Sequence, residues 1–125
     1  MLKVKNMVSA RSGRTVANQF DIMSGNADVI SEYAFQSYGS LCASLTRTES
    51  GLYKLTIYRD GFYSRTTAKY LRAWLIDHIN PERVPDVLKA AKAAINAGAE
   101  KWEAEEWRVS FIWWERFILP LQWLG

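Results

Sequence analysis

The sequence has one cysteine, one histidine and three prolines among its 125 residues. A single cysteine excludes a disulfide within the chain, and one cysteine with one histidine excludes the common zinc sites. No apolar run approaches the roughly 18 residues that are needed to span a bilayer. The most apolar segment, 109–125, is interrupted by Glu115, Arg116 and Pro120. We therefore expect no membrane span.

A secretory signal is also missing from the start of the sequence. The first fourteen residues contain Lys3, Lys5, Arg11 and Arg14 but no apolar run of seven. A cleavable signal needs such an apolar stretch after its basic start. Together with the lone thiol, this favours a reducing compartment, and we expect the protein in the cytoplasm of a host cell.

Side chains suited to catalysis are few. His78, the only imidazole, falls near the inner side of a predicted helix end, where a hydrogen-bonded structural role is typical. Cys42 falls within a predicted strand among small residues, with nothing nearby to activate it. The acids that could form a catalytic pair crowd onto one predicted helix and suit a solvated face: Glu100, Glu103, Glu105 and Glu106. No glycine-rich phosphate loop is present. We predict that the protein is not an enzyme and expect no cofactor and no metal.

What is present is typical of a single globular domain. Hydrophobic residues make up 49% of the chain and charged residues 23%, which excludes disordered and fibrous classes. The net charge of +3 is unevenly distributed, because residues 1–72 carry ten Lys/Arg against five Asp/Glu. Residues 73–125 carry six against eight. This asymmetry permits contact of the first half with phosphate or with an acidic protein.

Periodicity predicts an α+β fold, with an antiparallel meander of about four strands followed by two or three helices packed on one face. Alternating residues predict strands at 16–23, 41–47 and 52–58, and a stretch rich in aromatic residues predicts one at 33–38. Apolar residues at helical spacing then predict a helix over 64–79, with Ser64 as its N-cap. Pro85 and the spacing of Leu88, Ala91, Ile95 and Trp102 allow a second helix over about 86–107.

The predicted organisation is one domain over residues 1–125. Residues 1–14 form a flexible basic arm, 15–79 a β-meander plus helix, and 80–125 a helical extension that ends in an aromatic tail. The tail carries Trp113, Trp114 and Trp123, and it is too apolar to remain free in water. It therefore packs on its own sheet, on a second copy of the chain in a homodimer, or on a partner.

The most distinctive cluster in the sequence is basic. Arg65, Lys69 and Arg72 follow the spacing i, i+4 and i+7, which places them on one face of the first helix. Arg47, Lys54 and Arg59 come from the hairpin before that helix, and aromatic residues that include Tyr63 are interleaved with them. Such a set can follow a phosphate backbone and stack on bases, or it can be an ordinary solvated helix face.

Three short stretches carry a resemblance. They are Asn-Gln-Phe at 18–20, Phe-Gln-Ser-Tyr at 35–38 and Tyr-Ser-Arg-Thr-Thr-Ala-Lys-Tyr at 63–70. In this order they resemble a small uncharacterised domain of phage and mobile-element proteins, and the likeness covers about residues 17–75. That domain usually has Trp where this sequence has Phe62. The resemblance implies no biochemical activity, but it implies that Gln36 and Tyr38 anchor their strand to the helix.

Two hypotheses for function follow. The first is a non-enzymatic phage or mobile-element protein that binds and modulates a host protein or ribonucleoprotein complex, as an anti-defence (anti-CRISPR-like) inhibitor does, with the tail tryptophans as anchors. The alternative is a small nucleic-acid-binding module. Its predicted contacts are the basic residues of the hairpin and helix, Tyr63 and the N-terminal arm.

Overall fold

The computed structural model describes residues 2–9, 11–25 and 30–108 of the chain. Within them, six strands form one antiparallel sheet in which each strand pairs with its neighbours in chain order. The strands are β1 (Leu2–Val8), β2 (Thr15–Gly25), β3 (Ile30–Ser37), β4 (Ser40–Arg47), β5 (Tyr53–Tyr58) and β6 (Lys101–Glu106). The helices α1 (Arg65–His78) and α2 (Val84–Asn96) lie between β5 and β6 in the chain.

The predicted meander of about four strands is wrong, and β1 is one reason. This strand forms from residues that were predicted to be a flexible basic arm, and it pairs with β2 through Lys3 and Met23 and through Lys5 and Asp21. Nearly all of its side chains are exposed. Charged side chains are typical of an edge strand, where they discourage pairing with other chains. In the sequence of an exposed edge strand, apolar and polar residues therefore alternate only weakly.

The second additional strand, β6, replaces the far half of the predicted second helix. α2 ends at Asn96, and Gly98 then adopts a φ of +104°, which a glycine after a helix adopts without strain. Trp102 pairs with Ile57 of β5, so its apolar side chain fits a strand period as well as a helix period. Glu106, which is only 7% exposed, accepts a 2.7 Å hydrogen bond from the Arg83 guanidinium before α2. That ion pair joins the end of β6 to the start of α2.

The prediction of the first helix is confirmed. Ser64 caps α1, because its hydroxyl accepts a 3.1 Å hydrogen bond from the backbone N–H of Thr67. Tyr70, Trp74 and Leu75 are buried along one side of the helix. The helix ends at His78, two residues before the Asn80–Pro81 pair. A proline disfavours helical backbone in the residue before it, which explains this end point.

Both helices pack on one face of the sheet. Phe35, Ala43 and Ile57 are register partners in a row across β3, β4 and β5, and all three are fully buried. Trp74 and Leu75 of α1 complete the same core. The segment 109–125 lies outside the described residues, and so does the predicted packing of its aromatic tail.

Strand β2 presents polar side chains to this core. Gln19 is 1% exposed and Asp21 7%, and both lie on the face that pairs in register with Phe35 and Ser37. Phe20, on the alternate position, belongs to the other face and is only half-buried. The core-facing side of this strand is therefore its more polar side, and Asp21 needs partners in the core.

Candidate functional site

Cationic side chains of the two helices line a common groove of about 430 Å³. On α1 they follow the predicted spacing, and on α2 two lysines three residues apart lie across from them. None of the described residues that line the groove is acidic. We call it the cationic groove. It is lined by Arg65, Lys69 and Arg72 from α1, by Lys89 and Lys92 from α2, and by Phe62, Ala68 and Leu88.

The five cations of the groove form no ion pair with any residue in the described part of the chain. All five are exposed. One of them has an aromatic contact, since the Lys69 Nζ lies 5.5 Å from the centre of the Tyr70 ring. A set of like charges without counter-charges produces a positive potential at this surface.

The basic residues of the hairpin are not part of this groove. Lys54 lies 3.6 Å from the Glu103 carboxylate, and Arg59 lies 3.0 Å from Glu100. Lys54 also alternates with the buried Leu55, so it lies on the sheet face away from the helices. Arg47 is exposed at the end of β4. The predicted basic footprint is therefore divided between two faces of the protein.

A second cavity, of about 580 Å³, adjoins the first turn of α1. Hydroxyl side chains dominate its wall, with one carboxylate and no cation among the described lining residues. We call it the hydroxyl pocket. Its lining is Ser37, Tyr38, Ser40, Asp60, Tyr63, Ser64, Thr66 and Thr67.

Two of the three stretches singled out in the sequence line the hydroxyl pocket, and the first is hydrogen bonded to one of them. Ser37 and Thr67 share a buried 2.9 Å hydrogen bond between their hydroxyls, which joins β3 to α1. The backbone N–H of Tyr38 donates a 2.6 Å hydrogen bond to the carbonyl of Asn18. The predicted anchoring by Gln36 and Tyr38 takes a different form, since the Gln36 Nε2 donates to the Tyr38 carbonyl within the same turn. The contact between strand and helix is made by Ser37 instead.

His78 takes part in a buried hydrogen-bonded cluster with Asp21. The Asp21 carboxylate accepts a 3.0 Å hydrogen bond from the Trp74 indole N–H, and the His78 Nε2 lies 3.2 Å from the same oxygen. Burial alone would raise the pKa of Asp21. The hydrogen bond and charge of His78, the Trp74 hydrogen bond and the nearby Lys5 outweigh burial and hold this pKa below its usual 3.8. Asp21 therefore ties β2 to α1 as a carboxylate.

Among the described residues, the only side chain that hydrogen bonds to His78 is Asp21. In the described part of the chain no serine, threonine or cysteine side chain hydrogen bonds to His78, and neither cavity is lined by it. Cys42 is fully buried, and burial raises its thiol pKa to about 11, which leaves it protonated at neutral pH. Among the described residues, no three His, Cys, Asp or Glu side chains come together as a metal site.

The remaining predicted site residues are Trp113, Trp114 and Trp123, which lie outside the described residues. The described helices are all too short or too polar to cross a membrane. No family model, curated protein or solved structure matches the chain. The resemblance to a phage and mobile-element domain accordingly stays a hypothesis.

Sequence reasoning missed the α2 half of the groove and the partner of His78. Lys89 and Lys92 are spaced like neighbours on a helix face, and this spacing was a usable signal. Asp21 gave a weaker signal, as a carboxylate within an alternating strand. Its contact with His78 spans 57 positions of the chain, which no local pattern predicts.

Proposed function

We propose that the protein binds nucleic acid through the cationic groove and acts by binding rather than by chemical conversion. The observation that supports this function is the convergence of five unpaired cations from two helices on one groove without an acidic lining residue. Elsewhere on the surface, Lys54, Arg59 and Lys101 are each paired with a glutamate.

The charge pattern favours a polyanion as the ligand. Like charges held close together without counter-charges repel one another and lower the stability of the folded chain. Binding of phosphates removes this repulsion and releases condensed counterions, which is a main source of affinity for nucleic acids. Arg65 and Arg72 are seven positions apart, or about 10 Å along a helix. This length corresponds to about three phosphates of one strand at duplex spacing.

Fluorescence anisotropy with a labelled single-stranded oligonucleotide tests the proposal. With up to five phosphates neutralised, log K should fall against log salt with a slope of about −3.5. Affinity should then drop about 100-fold between 50 and 200 mM salt. The combined change Lys69→Gln, Lys89→Gln and Lys92→Gln should reduce the slope by about 2.

A matched control removes the same charge elsewhere. The combined change Lys3→Gln, Lys54→Gln and Lys101→Gln alters exposed lysines of the strands, none of which lines the groove. It should leave the slope within about 0.5 of the parent value if the groove carries the contacts. Absence of binding at 50 mM salt to single-stranded and duplex oligonucleotides would refute the proposed function.

The other hypothesis, an anti-defence (anti-CRISPR-like) phage protein in the host cytoplasm, depends on the tail. Its proposed anchors, Trp113, Trp114 and Trp123, lie outside the described residues, and no described surface favours one protein partner over another. Nucleic-acid binding is compatible with it, because a ribonucleoprotein complex is one of the partners that this hypothesis predicts. We therefore base the proposed function on the groove alone.

A further inference from the structure

The hydroxyl pocket and the cationic groove share the first turn of α1. Tyr63, Ser64, Thr66 and Thr67 line the pocket, while Phe62, Arg65, Ala68 and Lys69 line the groove, so neighbouring residues at the start of α1 belong to different cavities. A strand whose backbone reaches Arg65 at the end of the groove therefore lies one residue away from the lining of the pocket. We propose that the ligand is a single strand, and that one unstacked base of it, preferentially guanine, occupies the hydroxyl pocket.

The pocket offers two aromatic surfaces to an incoming ring. Tyr63 is 85% exposed and Tyr38 is 61% exposed, whereas Tyr33 and Tyr70 are buried in the core. Exposed tyrosine rings stack on unpaired bases, which is how single strands are commonly held. The cavity of about 580 Å³ lies within the range of pockets that enclose small organic groups.

The backbone holds Tyr38 at the rim in an unusual conformation. Its φ of +54° lies in the left-handed region, which a bulky residue rarely adopts. Two hydrogen bonds maintain it, one from the Tyr38 N–H to the Asn18 carbonyl and one from Gln36 to the Tyr38 carbonyl. Asn18 itself has a φ of +65°. The backbone that carries the ring is thus held at the pocket before any ligand binds, which reduces the ordering cost of binding.

The polar groups in the pocket select against a phosphate and in favour of a base. No described lining residue is cationic, and the Asp60 carboxylate repels an anion. Ser37, Ser64 and Thr67 already hydrogen bond to one another. Asp60 forms no ion pair in the described part of the chain, so both of its oxygens are available as acceptors.

Guanine matches this acceptor best among the bases. Its Watson–Crick edge carries an N1–H and an N2 amino group side by side, and a carboxylate can accept from both. Adenine and cytosine each offer one amino donor next to an acceptor nitrogen, which a carboxylate repels. The hydroxyls of Ser40 and Thr66, which line the same pocket, can donate or accept as the base requires.

This inference rests on the proposed function, and competition anisotropy tests it with twelve-residue oligo-dT carrying one central dG, dA, dC or abasic site. We expect the dG strand to bind about tenfold more tightly than the abasic strand, and a duplex of the same length to show no dependence on the central pair. Asp60→Asn should bring the dG preference below about threefold. Glu49→Gln, which removes an exposed acid from the β4–β5 turn, should leave it unchanged.

A stacking variant gives a second readout. Tyr63→Ala should lower single-strand affinity about tenfold while the duplex affinity stays the same, and Tyr63→Phe should retain the parent affinity, because stacking needs the ring. The ring of Tyr63 is almost fully exposed, so its loss should leave the melting temperature unchanged. If strands bind with the expected salt dependence but all central bases bind equally and Tyr63→Ala has no effect, the pocket inference fails and the proposed function stands. If no strand or duplex binds, both fail.

Discussion

Replacing Asp21 should destabilise the fold more than any exposed acid does. Its carboxylate is 7% exposed and accepts from the Trp74 indole, with the His78 ring at 3.2 Å. Asp21→Ala removes the acceptor and leaves two buried polar groups without a partner. Each buried polar group left without its partner costs about 1–3 kcal/mol, so the total loss of unfolding free energy should be about 3–5 kcal/mol. For a domain of this size the melting temperature should fall by roughly 10–20 °C.

The charge of Asp21 also predicts a dependence on pH. Its pKa in the folded chain lies below the usual 3.8, because His78, Trp74 and Lys5 outweigh burial. A lowered carboxyl pKa stabilises the folded state fully above the unfolded value, and this contribution is lost as the pH falls through the folded value. Stability should therefore decline below about pH 3.8 for this reason. The Asp21→Asn variant, whose amide cannot ionise, should lose less stability below that pH than the parent.

Urea denaturation followed by tryptophan fluorescence at pH 7 and at pH 2.5 measures both effects. Asp21→Asn should cost about 1.5–3 kcal/mol at pH 7, because an amide still accepts from Trp74 but lacks the charge. The difference in unfolding free energy between Asp21→Asn and the parent should shrink at pH 2.5. Glu49→Gln, in an exposed turn, serves as the control and should match the parent at both pH values. An Asp21→Ala melting temperature within 2 °C of the parent, or an Asp21→Asn difference independent of pH, would refute the reasoning.

Two further predictions concern the packing beneath α1. Gly61→Ala should cost about 1–3 kcal/mol, since a Cβ there would lie 3.0 Å from Leu71 Cδ2 and 3.3 Å from the Cys42 carbonyl oxygen. Gly39→Ala, where a Cβ would meet nothing within 4 Å, is its control, and equal urea midpoints for the two variants would contradict the close packing. Cys42, fully buried with a thiol pKa of about 11, should react with an aromatic disulfide reagent at pH 8 only as the chain unfolds. Complete labelling of the folded protein within seconds would show that the thiol is accessible.

How far the sequence predicts the fold depends on the distance between interacting residues. α1 was predicted to within one residue at each end, because Ser64 and the apolar spacing act within a few residues. β6 was predicted as helix, because Trp102 fits both periods and only its pairing with Ile57 selects the strand. β1 was missed for a related reason, since an exposed edge strand buries too little apolar surface to show alternation.

The candidate site likewise combines features that local spacing predicts with features that depend on tertiary packing. Spacing along the chain is enough to place Arg65, Lys69 and Arg72 on one helix face, because side chains three and four positions apart are neighbours on any helix. That Lys89 and Lys92 face them across a groove, and that Lys54 and Arg59 of the hairpin are paired with Glu103 and Glu100, follows from tertiary packing alone. Such contacts depend on how whole elements pack on the sheet. Local propensity carries no information about that packing.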